Sequence, residues 1–277
     1  MHRSTAVLSL AAVLSAAACA DQATAPVPRS ATLGADVTAS GVWAREIVGE
    51  TGPGSTYAFY VPRQWNGDVV YYAHGIKPAN APVELPTADG IVPVRDALGA
   101  LGYAVAYSSF DENGWAVKDG AQRTHQLRGL FTAQVGRARR SFLMGHSMGG
   151  LIVQDLAERF PGQYDGTLAM CAPLGGAVSE VNYLADVRVL FDWFYPGVVP
   201  GNVMYVPEGT NIGAVVASLP GAVIAKDGGA GLGAIARIKQ TPLAGQDGRE
   251  LFTSLSYAIA YNMGGLADFL DRTHGHP

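Results

Sequence analysis

Gly145-His146-Ser147-Met148-Gly149-Gly150 separates the apolar run Phe142-Leu143-Met144 from the amphipathic stretch Leu151 to Phe160. The spacing reads as a strand, a tight turn and a helix, with one serine at the apex. In G-x-S-x-G the glycines two before and two after the serine let strand and helix approach closely. The serine itself takes a strained backbone conformation that holds its oxygen clear of the sheet. The flanks agree with this reading. Arg139-Arg140-Ser141 gives way to a buried-type strand, Ile152, Leu156 and Phe160 recur at helical spacing, and Pro161-Gly162 stops the helix.

Outward from this turn the chain alternates strand and helix. Three β-rich runs, Val42 to Val48, Ser55 to Val61 and Asp68 to Ala73, lead in as an antiparallel start to a central strand. Val94 to Leu101 reads as a helix, Ala104 to Ser108 as a strand, Asp119 to Val135 as a longer helix and Thr167 to Cys171 as a strand. This order predicts a mainly parallel sheet with helices on both faces. Ligands of such sheets sit beyond the carboxyl ends of the strands, so Ser147 and the loops after Ala73, Ser108 and Cys171 are expected to converge. After Cys171 the alternation stops. An aromatic-rich helix, Val181 to Phe194, is followed by Gly- and Ala-rich pieces through Gln240, with a short strand before Asp227, and by a helical stretch from Glu250 to Leu270.

The 277 residues, 48% hydrophobic with 35 glycines and a net charge of −4, fit a globular chain with many turns. The basic residues are dispersed and the balance is slightly acidic, which argues against nucleic acid as a partner. Arg137 with Arg139-Arg140 reads as a solvated helix-to-strand junction. His2-Arg3, the apolar run Ala6 to Leu14 and the small residues Ser15 to Ala18 read as a secretory signal over residues 1–18, too short to span a bilayer. Cys19 after Ala16-Ala17-Ala18 resembles the lipidated cysteine of bacterial lipoprotein signals, although Ala16 stands where leucine is usual; the expectation is a membrane tether through Cys19, against plain export. Residues 19–41, rich in Ala, Thr, Ser and Pro, read as a flexible tether. The one later cysteine, Cys171, excludes a disulfide framework and is expected to be a small buried residue.

The segments Tyr71-Tyr72-Ala73-His74-Gly75, Gly102 to Ser109 and Gly145 to Gly150 resemble the α/β-hydrolase superfamily, and more narrowly its secreted bacterial esterase and prolyl-oligopeptidase-like branches. The resemblance covers about residues 55 to 175. It implies an α/β fold over residues 42–176 with a helical cap or lid over 177–277. It also implies hydrolysis of an ester, or less readily an amide, with no cofactor and no metal. By that resemblance Ser147 is the nucleophile, and the backbone N–H groups of Met148 and of Ile76, after His74-Gly75, form the oxyanion hole. His74 and His146 are read as structural. Asp111 to Trp115 either lines the pocket or packs inward, and Leu190-Phe191 with Trp193 to Tyr195 either roofs the substrate or packs the cap.

A serine of this kind needs a histidine base and an acid, expected in the order Ser, Asp or Glu, His. After Ser147 the only histidines are His274 and His276, and the best-placed acids are Asp227 and Asp247. No pair of strands is apparent between Asp227 and Pro277. The favoured reading is a hydrolase whose last core strands, with acid and base, lie outside this chain; the other has His274 or His276 folding back to Ser147. Three functions follow: a serine carboxylesterase, a serine peptidase of the same fold, and a hydrolase-like binding lipoprotein without catalysis.

Overall fold

The computed structural model describes residues 41–86, 91–241 and 248–274. The expected signal, Cys19, nearly all of the tether, Asp247 and His276 lie outside the described residues. The chain divides into two units, the first ending at Leu174 and the second beginning at Gly175.

The first unit contains β1 (Trp43–Gly52), β2 (Ser55–Pro62), β3 (Asp68–Ala73), α1 (Ile91–Ala100), β4 (Ala104–Ser108), α2 (Val117–Gln134), β5 (Arg140–His146), α3 (Met148–Arg159) and β6 (Gly166–Met170). Its six strands form one sheet in the order β1-β2-β4-β3-β5-β6. β2 runs antiparallel to β1 and β4, whereas β3, β4, β5 and β6 are parallel. Helix α1 starts at Ile91, earlier than the sequence reading, because Pro93 falls in the first turn, where no backbone donor is lost.

Alternate residues of the central strands feed two cores, as the two-residue period of a strand requires. Phe59, Tyr71, Ala106 and Leu143 pack with Leu127 and Phe131 of α2 and Ile152 and Leu156 of α3. Tyr60, Val70, Tyr72, Val105 and Met144 face the other way, with Ile91 of α1. The arginines read as a solvated junction are largely exposed, but they also grip the fully buried Asp68. Arg139 donates to both carboxylate oxygens at 2.9 Å and Arg140 to one at 2.6 Å. These bonds, Arg139 first, hold the Asp68 carboxyl below its usual range despite burial. The cluster ties β3 to β5 at the sheet end opposite Ser147.

The second unit is helical throughout its described elements: α4 (Ala177–Phe194), α5 (Ile212–Asp227), α6 (Ala230–Ile238) and α7 (Gly248–Arg272). It has its own core, including Phe191, Tyr195, Leu219, Leu232, Ile235 and Ile259. The strand expected before Asp227 is instead the last turn of α5, which ends at the left-handed Gly228. Phe191 and Tyr195 are buried inside this unit, whereas Trp193 is 81% exposed. Cys171 is exposed rather than buried. It follows the edge strand β6, and its backbone turns out of the sheet at φ 47°. No helix among the described residues is long and apolar enough to cross a membrane.

Candidate active site

Between β5 and α3, Ser147 sits at φ 53°, ψ −128°, outside the regions comfortable for a residue with a side chain. Its backbone is held from two directions: its N–H donates to the Met170 carbonyl of β6 at 2.9 Å, and its carbonyl accepts from the Gly150 N–H at 2.9 Å. The glycines around it are required by contact. A Cβ on Gly145 would lie 2.2 Å from the Gly149 carbonyl oxygen, and one on Gly149 would lie 2.1 Å from that of Ala73. Strand β3, strand β5 and the first turn of α3 therefore meet backbone to backbone, and Ser147 is lifted, partly exposed, at their junction.

The loop after β3 reaches the same place. A Cβ on Gly75 would be 3.3 Å from the Ser147 Cβ, so that loop passes directly beside the serine. Ile76 follows, half-buried against the main core. Met148, the other residue expected to supply an oxyanion N–H, is buried as the first residue of α3. The positive end of a helix dipole thus lies at Ser147, where it favours developing negative charge.

His74 braces this loop. Its ring stacks on Phe110 at 3.9 Å, with Nδ1 2.7 Å from the Gly75 carbonyl and Nε2 3.3 Å from that of Ser109. Burial lowers its pKa to about 4, so the ring is neutral at ordinary pH. The loop after β4 is further joined to that after β3 by Gly114 N–H to the Lys77 carbonyl at 2.9 Å and by Asn113 Nδ2 to that of Ala81 at 2.8 Å. Trp115 packs against the main core, the inward alternative. His146 is stacked on Tyr72, whose hydroxyl is hydrogen-bonded to its Nδ1.

The sequence reading missed how the loop after β4 is anchored. Arg123 pairs with Asp111 and, at 3.1 Å, with Asp119, while the Asp111 N–H donates to Asp119 at 2.8 Å. Asp119 and Arg123 stand one helical turn apart, a readable signal, but Asp111 joins them only through the fold. Burial, and then the neighbouring Asp111 carboxylate, push the Asp119 pKa up to about 6.

These shifts predict a pH effect. His74 resists protonation when folded, so its contribution to stability is lost as pH falls from 6.5 towards 4, by about 3 kcal/mol in total. Asp119 acts with the opposite sign, because its raised pKa favours the folded state on acidification over much of that range. The stability difference between the protein and His74→Asn isolates the histidine. Urea titrations at pH 7 and pH 4 should show the variant losing about 3 kcal/mol less on acidification; equal losses would refute a buried neutral His74.

Of the candidate acids and bases, Asp227 lies in the helical unit. Its carboxylate accepts from the Tyr195 hydroxyl at 3.0 Å and from the Gly229 and Gly231 N–H groups at 2.9 Å, joining α5 to α6. His274 follows the C-terminus of α7, its N–H donating to the Asp271 carbonyl at 3.2 Å.

No family model matches the chain, and no curated protein is similar to it. Partial likeness to solved structures is found. A thermostable carboxyl esterase from Bacillus coagulans in complex with glycerol is 19% identical over 55% of this chain and 51% of that one, with TM-score 0.39. An esterase from Pyrococcus furiosus is 14% identical over 53% and 55%, with TM-score 0.39. A lidless α/β serine hydrolase from Xanthomonas campestris is 15% identical over 47% and 62%, with TM-score 0.36. The chain spans about half the length of the first two structures. The assignment of fold rests on the molecule's own geometry: the mixed six-stranded sheet, the helices on both faces and the strand-serine-helix turn at Ser147 make the first unit an α/β-hydrolase fold.

Proposed function

We propose that the protein is a serine hydrolase that cleaves a carboxylic ester through an acyl-enzyme on Ser147. The observation that carries this reading is Ser147 at φ 53° on the N-terminus of α3, with Gly75 beside it. The Ser147 oxygen attacks the ester carbonyl, and the carbonyl oxygen becomes negative. The N–H groups of Met148 and Ile76 stabilise that oxyanion, with the helix dipole of α3 reinforcing them. The alcohol leaves, and water then releases the acid from Ser147.

A base must take the serine proton, and an acid must orient the base. We assign these to strands that would add beside the edge strand β6, where Leu168 is 43% exposed. His274 or His276 is the alternative source of the base. Residues 1–18 are proposed as an export signal and Cys19 as a lipid anchor, giving a cell-envelope lipoprotein, with plain secretion as the alternative.

p-Nitrophenyl butyrate and the matching p-nitroanilide separate the activities. Ester turnover about 100-fold or more above that of the anilide is expected for the carboxylesterase; the reverse preference would make the protein a peptidase. A second reading is a binding protein of hydrolase fold, favoured by the engagement of the Asp227 carboxylate within the helical unit. It requires that neither substrate turns over.

A further inference from the structure

Within the helical unit, α4 and α7 enclose a cavity of about 300 Å³, lined by Val181 and Leu184 of α4, Leu266 and Phe269 of α7, and Met204 between them in sequence. Its size is at the lower end of small-molecule sites. Asn262 is the buried polar residue in this wall: it is 8% exposed, and its enclosed Oδ1 has no hydrogen-bond partner among the described residues. An orphaned buried acceptor is costly and uncommon in native proteins. Among the described residues, no charged side chain lines the cavity. Val178, also in the lining, is 75% exposed, and Tyr261 is 48% exposed, so the cavity has an apolar approach from solvent.

We propose that this cavity binds an uncharged amphiphile, an apolar chain of about ten heavy atoms at ~30 Å³ each that carries one hydroxyl or amide N–H. The chain displaces water from aliphatic and aromatic walls, which supplies most of the affinity. The ligand's donor bonds to Asn262 Oδ1, reached by rotation about the broad terminal torsion of the amide. A carboxylate is disfavoured twice, because it would be buried without a cation and would face an acceptor with no proton to donate. Ser147 is not among the residues that line the cavity.

Calorimetric titration tests this with 1-decanol, decanoate and methyl nonyl ether, the last of equal length but without a donor. Saturable binding of decanol at one site is expected, with decanoate and the ether each weaker by about tenfold or more. Leu266→Trp, filling the cavity, should abolish binding. Leu266→Ala, enlarging it, should shift preference from decanol to dodecanol, so a misfolded tryptophan variant does not leave the question open. Asn262→Leu should remove the preference for decanol over the ether. Ser147→Ala should bind decanol unchanged. Binding that is lost in Ser147→Ala, that ignores both Leu266 changes, or that favours decanoate would overturn the proposal. So would a stable dimer by sedimentation that takes up no decanol, since the apolar mouth would then belong to a second copy of the chain.

Discussion

Replacing Gly149 by alanine is expected to destabilise the first unit by roughly 3 kcal/mol or more, the upper range for forcing atoms into a packed site. The added methyl would meet the Ala73 carbonyl oxygen at 2.1 Å and that of His74 at 2.6 Å. Both are backbone atoms of the strand and loop beside Ser147, so no side chain can swing away to make room. Relief requires α3 to move off β3, which would also disturb Ile152 and Leu156 in the main core. Since whole domains are stable by only about 5–15 kcal/mol, much of the protein should appear insoluble or unfold early in urea. Gly129→Ala is the matched control. It lies inside α2, an added Cβ there meets nothing within 4 Å, and the change should stabilise by about 0.5–1 kcal/mol. A Gly149→Ala protein with an unchanged urea midpoint would refute the backbone contact on which the elbow depends.

Ser147→Ala is expected to lower ester turnover by roughly 10³-fold or more while leaving stability nearly unchanged, because the methyl keeps the same strained backbone. Ser147→Gly should abolish turnover equally but raise stability by about 1 kcal/mol, since glycine tolerates positive φ. The contrast between the two variants separates the chemical role of the hydroxyl from the conformational cost of the position. A glycine variant less stable than the alanine variant would show that the turn carries no strain at Ser147.

The legible parts of this chain are those where short-range pattern and tertiary demand coincide. The elbow is one: glycine spacing, a β-rich run and a helical period occur within about twenty residues, and the structure joins β5 to α3 there. The strands Ala104–Ser108 and Asp68–Ala73 are others, because buried parallel strands read as continuous apolar runs. Helix α5 was hidden: it is apolar around much of its surface, carries Pro220 in its interior and ends at Gly228, so its last turn reads as a strand. Cys171 is exposed although an apolar run precedes it, because β6 is the edge of the sheet. The stacking of His74 on Phe110 and the grip of Arg123 on Asp111 join residues distant in sequence, and no local period encodes them. An acid and a base for Ser147 were not legible for a related reason: such groups are recognised by where they stand relative to the serine, not by spacing.

The most direct test of the central claim, that Ser147 is the nucleophile, is peptide mapping by mass spectrometry after treatment with a fluorophosphonate. The expected result is one adduct, on the peptide containing Ser147, absent in Ser147→Ala and slowed by a competing ester. An adduct on another residue, or no adduct at any reagent concentration, would contradict it.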